Sequence, residues 1–132
     1  MVNGNKRLLL VHAGGSKTGS TAIQNFCELH AERLLEVGIF YGRRLGIGSK
    51  YQMGSGNGYP LYQALSGGQS RDVLELVQSH AAHGRLGLCS SEYFAHSTVD
   101  DWLRLEESCD RAGLQLKVIF FVRNVIPFLQ SA

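Results

Sequence analysis

A short apolar run that leads into a glycine pair constrains the fold of this chain more than any other feature. Arg7 to His12 carries four consecutive apolar side chains, the pattern of a buried parallel strand, and Gly14 and Gly15 follow. From Thr18 to Val37 apolar residues recur at helical spacing, and Gly38 is placed to cap the helix end. The order of strand, tight loop and helix predicts an α/β fold.

The same alternation continues along the chain. Further strands are predicted at Ile39 to Tyr41, Leu86 to Ser90 and Val118 to Val122. Further helices are predicted at Tyr59 to Leu65, from an N-cap at Ser70 to Gly84, and from Ser97 or Thr98 to Gly113, the last with Val99, Trp102, Leu103 and Cys109 facing inward. These elements predict one three-layer α/β/α domain over residues 1–132, with a central parallel sheet in which the last strand is central.

The segment between the second strand and the next helix is unusually rich in glycine. Gly42 to Gly58 contains six glycines and only scattered apolar residues, so it is predicted to be a long mobile loop. Four tyrosines lie within or next to this loop and are candidates for contact with a sugar or a phenol. They are Tyr41, Tyr51, Tyr59 and Tyr62.

Composition excludes several classes of partner. A formal net charge of +2 is too small for a general nucleic-acid or membrane surface. The apolar run near the start of the sequence, Leu8 to Val11, is far too short to span a bilayer. The cysteines, Cys27, Cys89 and Cys109, lie far apart in apolar patterns and are expected to be reduced core residues of a cytoplasmic protein. The histidines show no grouping typical of metal ligands, so no metal is expected.

Three predicted strand ends carry polar residues, and ligands of parallel α/β sheets bind at such ends. These ends are residues 12–21, 90–92 and 123–131. In the first, Lys17 and the amides of a glycine-rich turn at a helix start predict a cradle for a phosphate group. An ordinary glycine-rich turn with a capping threonine is the structural alternative.

A nucleoside-triphosphate P-loop fits this segment poorly. Ser16 stands where the second glycine of that motif belongs, and no glycine lies at the required spacing before it. The last strand leads to Arg123 rather than to the aspartate that a magnesium-dependent NTPase usually needs. The expected ligand is therefore a phosphate group held without a metal.

Two motifs resemble those of the sulfotransferases. Ser-Lys-Thr-Gly-Ser-Thr at 16–21 is similar to the family's 5′-phosphosulfate loop, and Val-Ile-Phe-Phe-Val-Arg-Asn at 118–124, followed by Ser131, is similar to its 3′-phosphate motif. The resemblance implies a P-loop-like sulfotransferase fold and transfer of a sulfuryl group from 3′-phosphoadenosine 5′-phosphosulfate (PAPS) to a hydroxyl or amine, leaving adenosine 3′,5′-bisphosphate. The implied donor-binding residues are Gly15, Ser16, Lys17, Thr18, Gly19, Ser20, Thr21, Arg123 and Ser131.

The resemblance also suggests two catalytic residues. Lys17 would stabilise charge on the oxygen between sulfur and phosphorus, and Glu92 would take the proton of the acceptor, as a glutamate does in some carbohydrate-type members. Glu92 could instead be a helix N-terminal charge or an ion-pair partner, and Arg123 could pair with a carboxylate. His12 is a further option for contact with the sulfuryl group, although a strand-end histidine is more often structural.

The family domain is longer than this chain, which is therefore expected to be truncated at the C-terminus. A sheet edge exposed by truncation would favour self-association into a homo-oligomer. The alternatives to an active enzyme are a non-catalytic nucleotide-binding module or fragment and, with less support, a P-loop kinase or NTPase. The acceptor is a small molecule or, by preference, a carbohydrate.

Overall fold

The computed structural model describes residues 6–14, 20–42 and 56–120. Its strands are β1 (Arg7–His12), β2 (Ile39–Phe40), β3 (Leu86–Ser90) and β4 (Leu114–Ile119). Its α-helices are α1 (Ser20–Leu29), α2 (Ala31–Glu36), α3 (Tyr59–Ser66), α4 (Ser70–His80) and α5 (Val99–Arg111), and a 3₁₀ helix spans Glu92–His96. Every predicted element that falls in the described ranges has a counterpart.

The described strands form one parallel sheet in the order β2-β3-β1-β4. The α/β class with a parallel sheet is therefore confirmed. From β1 the chain crosses past the position of β3 to form β2 at one edge of the described sheet. It then returns to form β3 beside β1, and crosses past β1 to form β4 at the other edge. The right-handed rule for connections between parallel strands assigns α1 and α2 to one face and α3, α4 and α5 to the opposite face. The packing of α3, α4 and α5 against one another agrees with this assignment and with three layers.

The core lies between β1, β3 and the helices α3 to α5. Leu9 and Val11 of β1 are completely buried there, together with Phe94 of the 3₁₀ helix. Leu8 and Leu10, which point to the other face of the sheet, are only partly buried in the described structure. The alternation along β1 thus separates a fully buried face from a less buried one.

The single helix predicted from Thr18 to Val37 is wrong, because two shorter helices occupy its described part. His30 leaves the helical conformation with φ of −116° and ψ of 23°, and α2 starts anew at Ala31. Leu29, beside this break, is 80% exposed. Gly38 ends α2 as predicted, with a φ of +93° and a hydrogen bond from its N–H to Leu35 O.

The predicted ends of α4 need correction. Ser70 is the first helical residue, and Gln69 is the N-cap. The helix ends at His80, well before Gly84, because the chain must turn there to enter β3. Gly87 of β3 lies so close that a Cβ on it would be 2.1 Å from His80 O, which fixes how tightly α4 approaches the sheet.

Helix α5 begins as predicted, but a different set of its side chains faces the core. The Thr98 side chain accepts a hydrogen bond from Asp101 N, and the Asp101 carboxylate accepts one from Thr98 N, forming a capping box. The inward positions are spaced at 101, 105, 108 and 109. Val99 and Leu103 were expected to face inward, and both are exposed because they lie off this stripe.

The last strand starts earlier and lies elsewhere in the sheet than predicted. β4 begins at Leu114 and not at Val118, since Gln115 and Lys117 alternate with apolar residues as in a strand with one solvent-facing side. Among the described strands β4 is at an edge of the sheet, not at its centre. Residues 121 and 122 lie outside the described ranges.

The expectation of reduced core cysteines is confirmed, because all three are buried and free. Burial raises the pKa of each thiol, that of Cys109 to about 12. Within residues 6–14, 20–42 and 56–120, no helix combines the length and the apolar character that crossing a membrane requires.

Candidate functional site

Three strand ends meet at the carboxyl edge of the sheet. The His12 carbonyl at the end of β1 accepts a hydrogen bond from Ser91 N at 3.1 Å, just beyond β3. On the other side, Ala13 N donates to Ile119 O at the end of β4, at 2.9 Å. The sheet therefore brings together the carboxyl ends of β1, β3 and β4, the strands that precede the three predicted ligand-binding segments; residues 123–131 of the third segment lie outside the described ranges.

Three hydrogen-bonded polar side chains form a group that joins the ends of β1 and β3 to α1. His12 Nδ1 lies 2.8 Å from Ser90 Oγ, and Gln24 Nε2 of α1 donates to the same oxygen at 3.2 Å. His12 and Ser90 are both buried, and burial lowers the pKa of His12, so its ring is neutral near pH 7. This group fixes the first turns of α1 relative to β1 and β3.

Asn57 secures the outer side of β3 beyond the end of β2. β2 pairs with β3 only at Leu86 and Gly87, so the later groups of β3 on that side need other partners. The Asn57 side chain supplies them, because Nδ2 donates to Leu88 O at 3.0 Å and Oδ1 accepts from Ser90 N at 2.8 Å. The same Nδ2 also donates to Gly42 O at 3.0 Å.

The described residues at both ends of the predicted mobile loop are held against the end of β3. Gly42, Asn57 and Gly58 are buried, and Gly58 N donates to Ser90 O at 2.8 Å. Gly56 has a φ of +95°, and a Cβ there would lie 2.2 Å from Ser90 O. Two glycines are thus needed because the chain passes directly against the end of β3; residues 43–55 of the predicted loop lie outside the described ranges.

Glu92, the proposed general base, is the first residue of the 3₁₀ helix that follows β3. Ser91 caps this helix, since its Oγ accepts a hydrogen bond from Tyr93 N at 3.2 Å. Glu92 is half-buried, at the same edge as His12 and Ser90. Its position agrees both with a base beside a ligand and with a charge at a helix N-terminus.

Most predicted donor-binding residues lie outside the described ranges. Residues 15–19, Arg123 and Ser131 belong to this group, and for Ser20 and Thr21 only the backbone is described, as the start of α1. β1 and α1 do flank the predicted cradle, as expected for a strand, loop and helix. The predicted cradle therefore ends in the first turn of α1, where the helix itself offers the amides no backbone partners.

The buried histidine His80 belongs to the core and not to this edge. Its Nε2 is 3.7 Å from Cys89 Sγ, and burial lowers its pKa to about 4. In the described ranges, no three His, Cys, Asp or Glu side chains are grouped so that they could hold a metal ion.

Sequence reasoning missed three residues of this region. Asn57 could have been found from the Gly-Asn-Gly segment, where small flanking residues indicate close contact of the backbone. Gln24 gave no signal, because a glutamine in a helix is ordinary. Tyr93 was overlooked beside Glu92, and Tyr41, expected near a ligand, is instead 2% exposed in the interior.

Comparison with known proteins gave no match, whether to a family model, to a curated protein or to a solved structure.

Proposed function

We propose that the chain is a sulfotransferase domain that binds PAPS and transfers its sulfuryl group to a hydroxyl or amine. The observation that carries this proposal is the meeting of the ends of β1, β3 and β4 at one edge of the sheet. Ser91 N donates there to His12 O, and the adjacent Ala13 N donates to Ile119 O. The two motifs that resemble phosphate-binding segments and Glu92 start from these three ends.

The donor would be held by two phosphate contacts. Residues 15–21 provide backbone amides at the start of α1 and the Lys17 ammonium for the 5′-phosphosulfate. Arg123 and Ser131 provide charged and hydroxyl donors for the 3′-phosphate. Arg123 would thus distinguish the bisphosphate from nucleotides that lack the second phosphate, and no metal ion is required.

The chemical step is an in-line displacement at sulfur. The acceptor oxygen or nitrogen forms a bond to sulfur as its proton passes to Glu92, and the bond from sulfur to the bridging oxygen breaks. The electron pair of that bond stays on the phosphate oxygen of adenosine 3′,5′-bisphosphate. Lys17 stabilises the charge that develops there, which lowers the barrier more than it tightens donor binding.

Location and acceptor are part of the same proposal. Buried, free cysteines agree with a reducing compartment, and we propose the cytoplasm. We propose a hydroxyl or amine compound as acceptor, either a small molecule or, by preference, a carbohydrate. The alternative, a nucleotide-binding module without turnover, would keep the two phosphate contacts and lack acceptor chemistry.

Calorimetric titration separates these functions. The purified chain is titrated with adenosine 3′,5′-bisphosphate and with ATP plus magnesium. We expect the bisphosphate to bind at least about tenfold more tightly, which corresponds to one additional charge-assisted contact. Tighter binding of magnesium ATP would support a kinase or NTPase and would overturn the donor assignment.

Turnover with labelled PAPS then tests for an enzyme. Lys17→Ala should slow transfer by about 100-fold or more while the donor Kd changes much less, as expected of a group that acts in the transition state. Lys117→Ala, an exposed lysine of β4, is the matched control and should leave the rate unchanged. Equal rates for Lys17→Ala and the unmodified chain would remove Lys17 from the mechanism.

A further inference from the structure

Three tyrosine rings lie together at the carboxyl edge of the sheet. The ring centroids of Tyr59 and Tyr93 are 5.0 Å apart, and those of Tyr62 and Tyr93 are 5.7 Å apart. Tyr59 and Tyr62 are nearly parallel, with an interplanar angle of 20° and centroids 6.1 Å apart. We refer to Tyr59, Tyr62 and Tyr93 as the tyrosine cluster.

Both segments that form this cluster are fixed to the end of β3. Tyr59 starts α3 directly after Gly58, whose N–H donates to Ser90 O at 2.8 Å. Tyr93 N donates to Ser91 Oγ at 3.2 Å, which holds the first turn of the 3₁₀ helix. The cluster is therefore held at the strand end that also carries Glu92, and its position does not depend on a long side chain or an unattached loop.

The cluster faces outward from the core. Phe94, the next aromatic residue inward, is fully buried, and its ring meets that of Tyr62 edge-on at 6.3 Å. Tyr93 is 37% exposed, and Tyr59 and Tyr62 are half-buried. The buried position thus has phenylalanine and the three outward positions have tyrosine, which combines an apolar ring face with a hydroxyl group.

This chemistry fits a ring with an apolar face and hydroxyl groups along its rim. Tyrosine faces pack against the C–H face of a sugar, and tyrosine hydroxyls bond to its rim. Glu92 directly precedes Tyr93, and a carboxylate accepts hydrogen bonds from hydroxyl groups but repels anionic ligands. A small phenol would need to bury most of its surface in an enclosed cavity, whereas the cluster is a partly exposed surface.

We propose that the tyrosine cluster binds a neutral sugar ring and presents one of its hydroxyl groups to Glu92. This inference rests on the proposed sulfotransferase function for its chemical purpose, but sugar binding itself requires no nucleotide. It assigns the acceptor to uncharged carbohydrate and gives Tyr93, at the centre of the cluster, the largest share of the contact.

Saturation-transfer NMR on the full chain without nucleotide tests the proposal. The probes are methyl glucoside, methyl galactoside, their N-acetylated 2-amino forms, glucuronate and 4-nitrophenol. We expect saturation of the C–H protons of at least one neutral sugar, and weaker transfer to glucuronate. Tyr93→Ala should lower the affinity for that sugar by about fivefold or more, as expected when one aromatic contact is lost.

Three further variants make the result specific. Tyr93→Phe keeps the ring face and should retain most of the binding. Tyr59→Ala should weaken the binding, but less than Tyr93→Ala does. Phe26→Ala is the matched control, because Phe26 is an aromatic residue on α1 that is 56% exposed. Circular dichroism is measured on each variant before the NMR experiment, to confirm that the variant is folded.

The outcomes separate this inference from the proposed function. The inference is overturned if no neutral sugar receives saturation, if binding survives both alanine variants, or if 4-nitrophenol binds the cluster better than every sugar. Sugar binding without binding of adenosine 3′,5′-bisphosphate would support the cluster and contradict the sulfotransferase proposal. Bisphosphate binding without sugar binding would do the reverse.

Discussion

Replacing Asn57 with alanine should destabilise the fold more than its small size suggests. Asn57 is 2% exposed, and its side chain makes three hydrogen bonds to the backbone, with Gly42 O, Leu88 O and Ser90 N. Alanine would leave these backbone groups without their partner. Ser90 is fully buried, so its N–H would have little access to water in compensation.

The expected cost follows from these three bonds. A buried polar group left without a partner costs about 1 to 3 kcal/mol, and the groups nearer the surface regain part of this from water. The sum is a loss of about 3 kcal/mol in the free energy of unfolding, which is a large share of the stability of a small domain. The structure also predicts that the end of β3 loosens first, because in the described part of the chain the pairing of β2 with β3 stops at Gly87.

Urea unfolding followed by circular dichroism measures this loss. Asn25→Ala is the matched control, because Asn25 is an exposed asparagine of α1, and its replacement should change stability by less than about 0.5 kcal/mol. A loss below about 1 kcal/mol for Asn57→Ala, or equal losses for the two variants, would refute the assigned role of Asn57.

Three other perturbations test the described structure. Thr98→Ala should lower the free energy of unfolding by about 1 kcal/mol in thermal denaturation, because it removes the cap of α5, whereas Thr98→Ser should keep most of it. Burial lowers the pKa of His80 from 6.5 to about 4, so the unfolded chain takes up a proton first as the pH falls between these values. As the pH falls through that window, the free energy of unfolding should decrease by up to about 1.4 kcal/mol per pH unit. Urea unfolding at several pH values should show a weaker pH dependence for His80→Gln than for the unmodified chain, and equal pH dependence would contradict this. Cys89 and Cys109 should react with a thiol reagent only after unfolding, because burial raises the pKa of both thiols; rapid labelling of the native chain would disagree with their burial.

Local patterns were sufficient to predict most of the elements. β1 and β3 have the predicted bounds, because a short apolar run between turn residues has few other structures available. Ser97 or Thr98 was predicted as a helix cap from its position before two aspartates, and the structure selects Thr98, whose capping box with Asp101 accounts for the signal. The α/β class followed from the alternation of these patterns.

Tertiary contacts determined what sequence did not reveal. The break at His30 has no proline or glycine to mark it, so the pattern through Val37 predicted one helix. The apolar run from Val118 suggested the start of a central strand. In the structure β4 pairs with β1 from Leu114 onward, and the polar residues that alternate along its first half concealed this start. Hydrophobic periodicity predicts whether a segment forms a helix or a strand, but it does not predict which element packs against it.

The candidate site was predicted in outline only. The convergence of the strand ends followed from the rule for parallel sheets, but the hydrogen bonds of Ser90 with His12 and Gln24 required the fold. The contact of Asn57 with β3 spans residues far apart in sequence, and no local pattern reports such a contact. The roles of Lys17, Arg123 and Ser131 remain proposals that follow from their motifs.

A binding site for a 3′-phosphorylated donor should prefer adenosine 3′,5′-bisphosphate over adenosine 5′-monophosphate. Calorimetry of the two nucleotides gives the ratio of their affinities for the unmodified chain, for Arg123→Ala and for the control Arg111→Ala. Arg111 ends α5 at the opposite edge of the sheet, just before β4 begins. We expect the unmodified chain and Arg111→Ala to prefer the bisphosphate by about tenfold or more and Arg123→Ala to lose this preference. Equal affinities for the two nucleotides in the unmodified chain, or a preference that survives in Arg123→Ala, would contradict it.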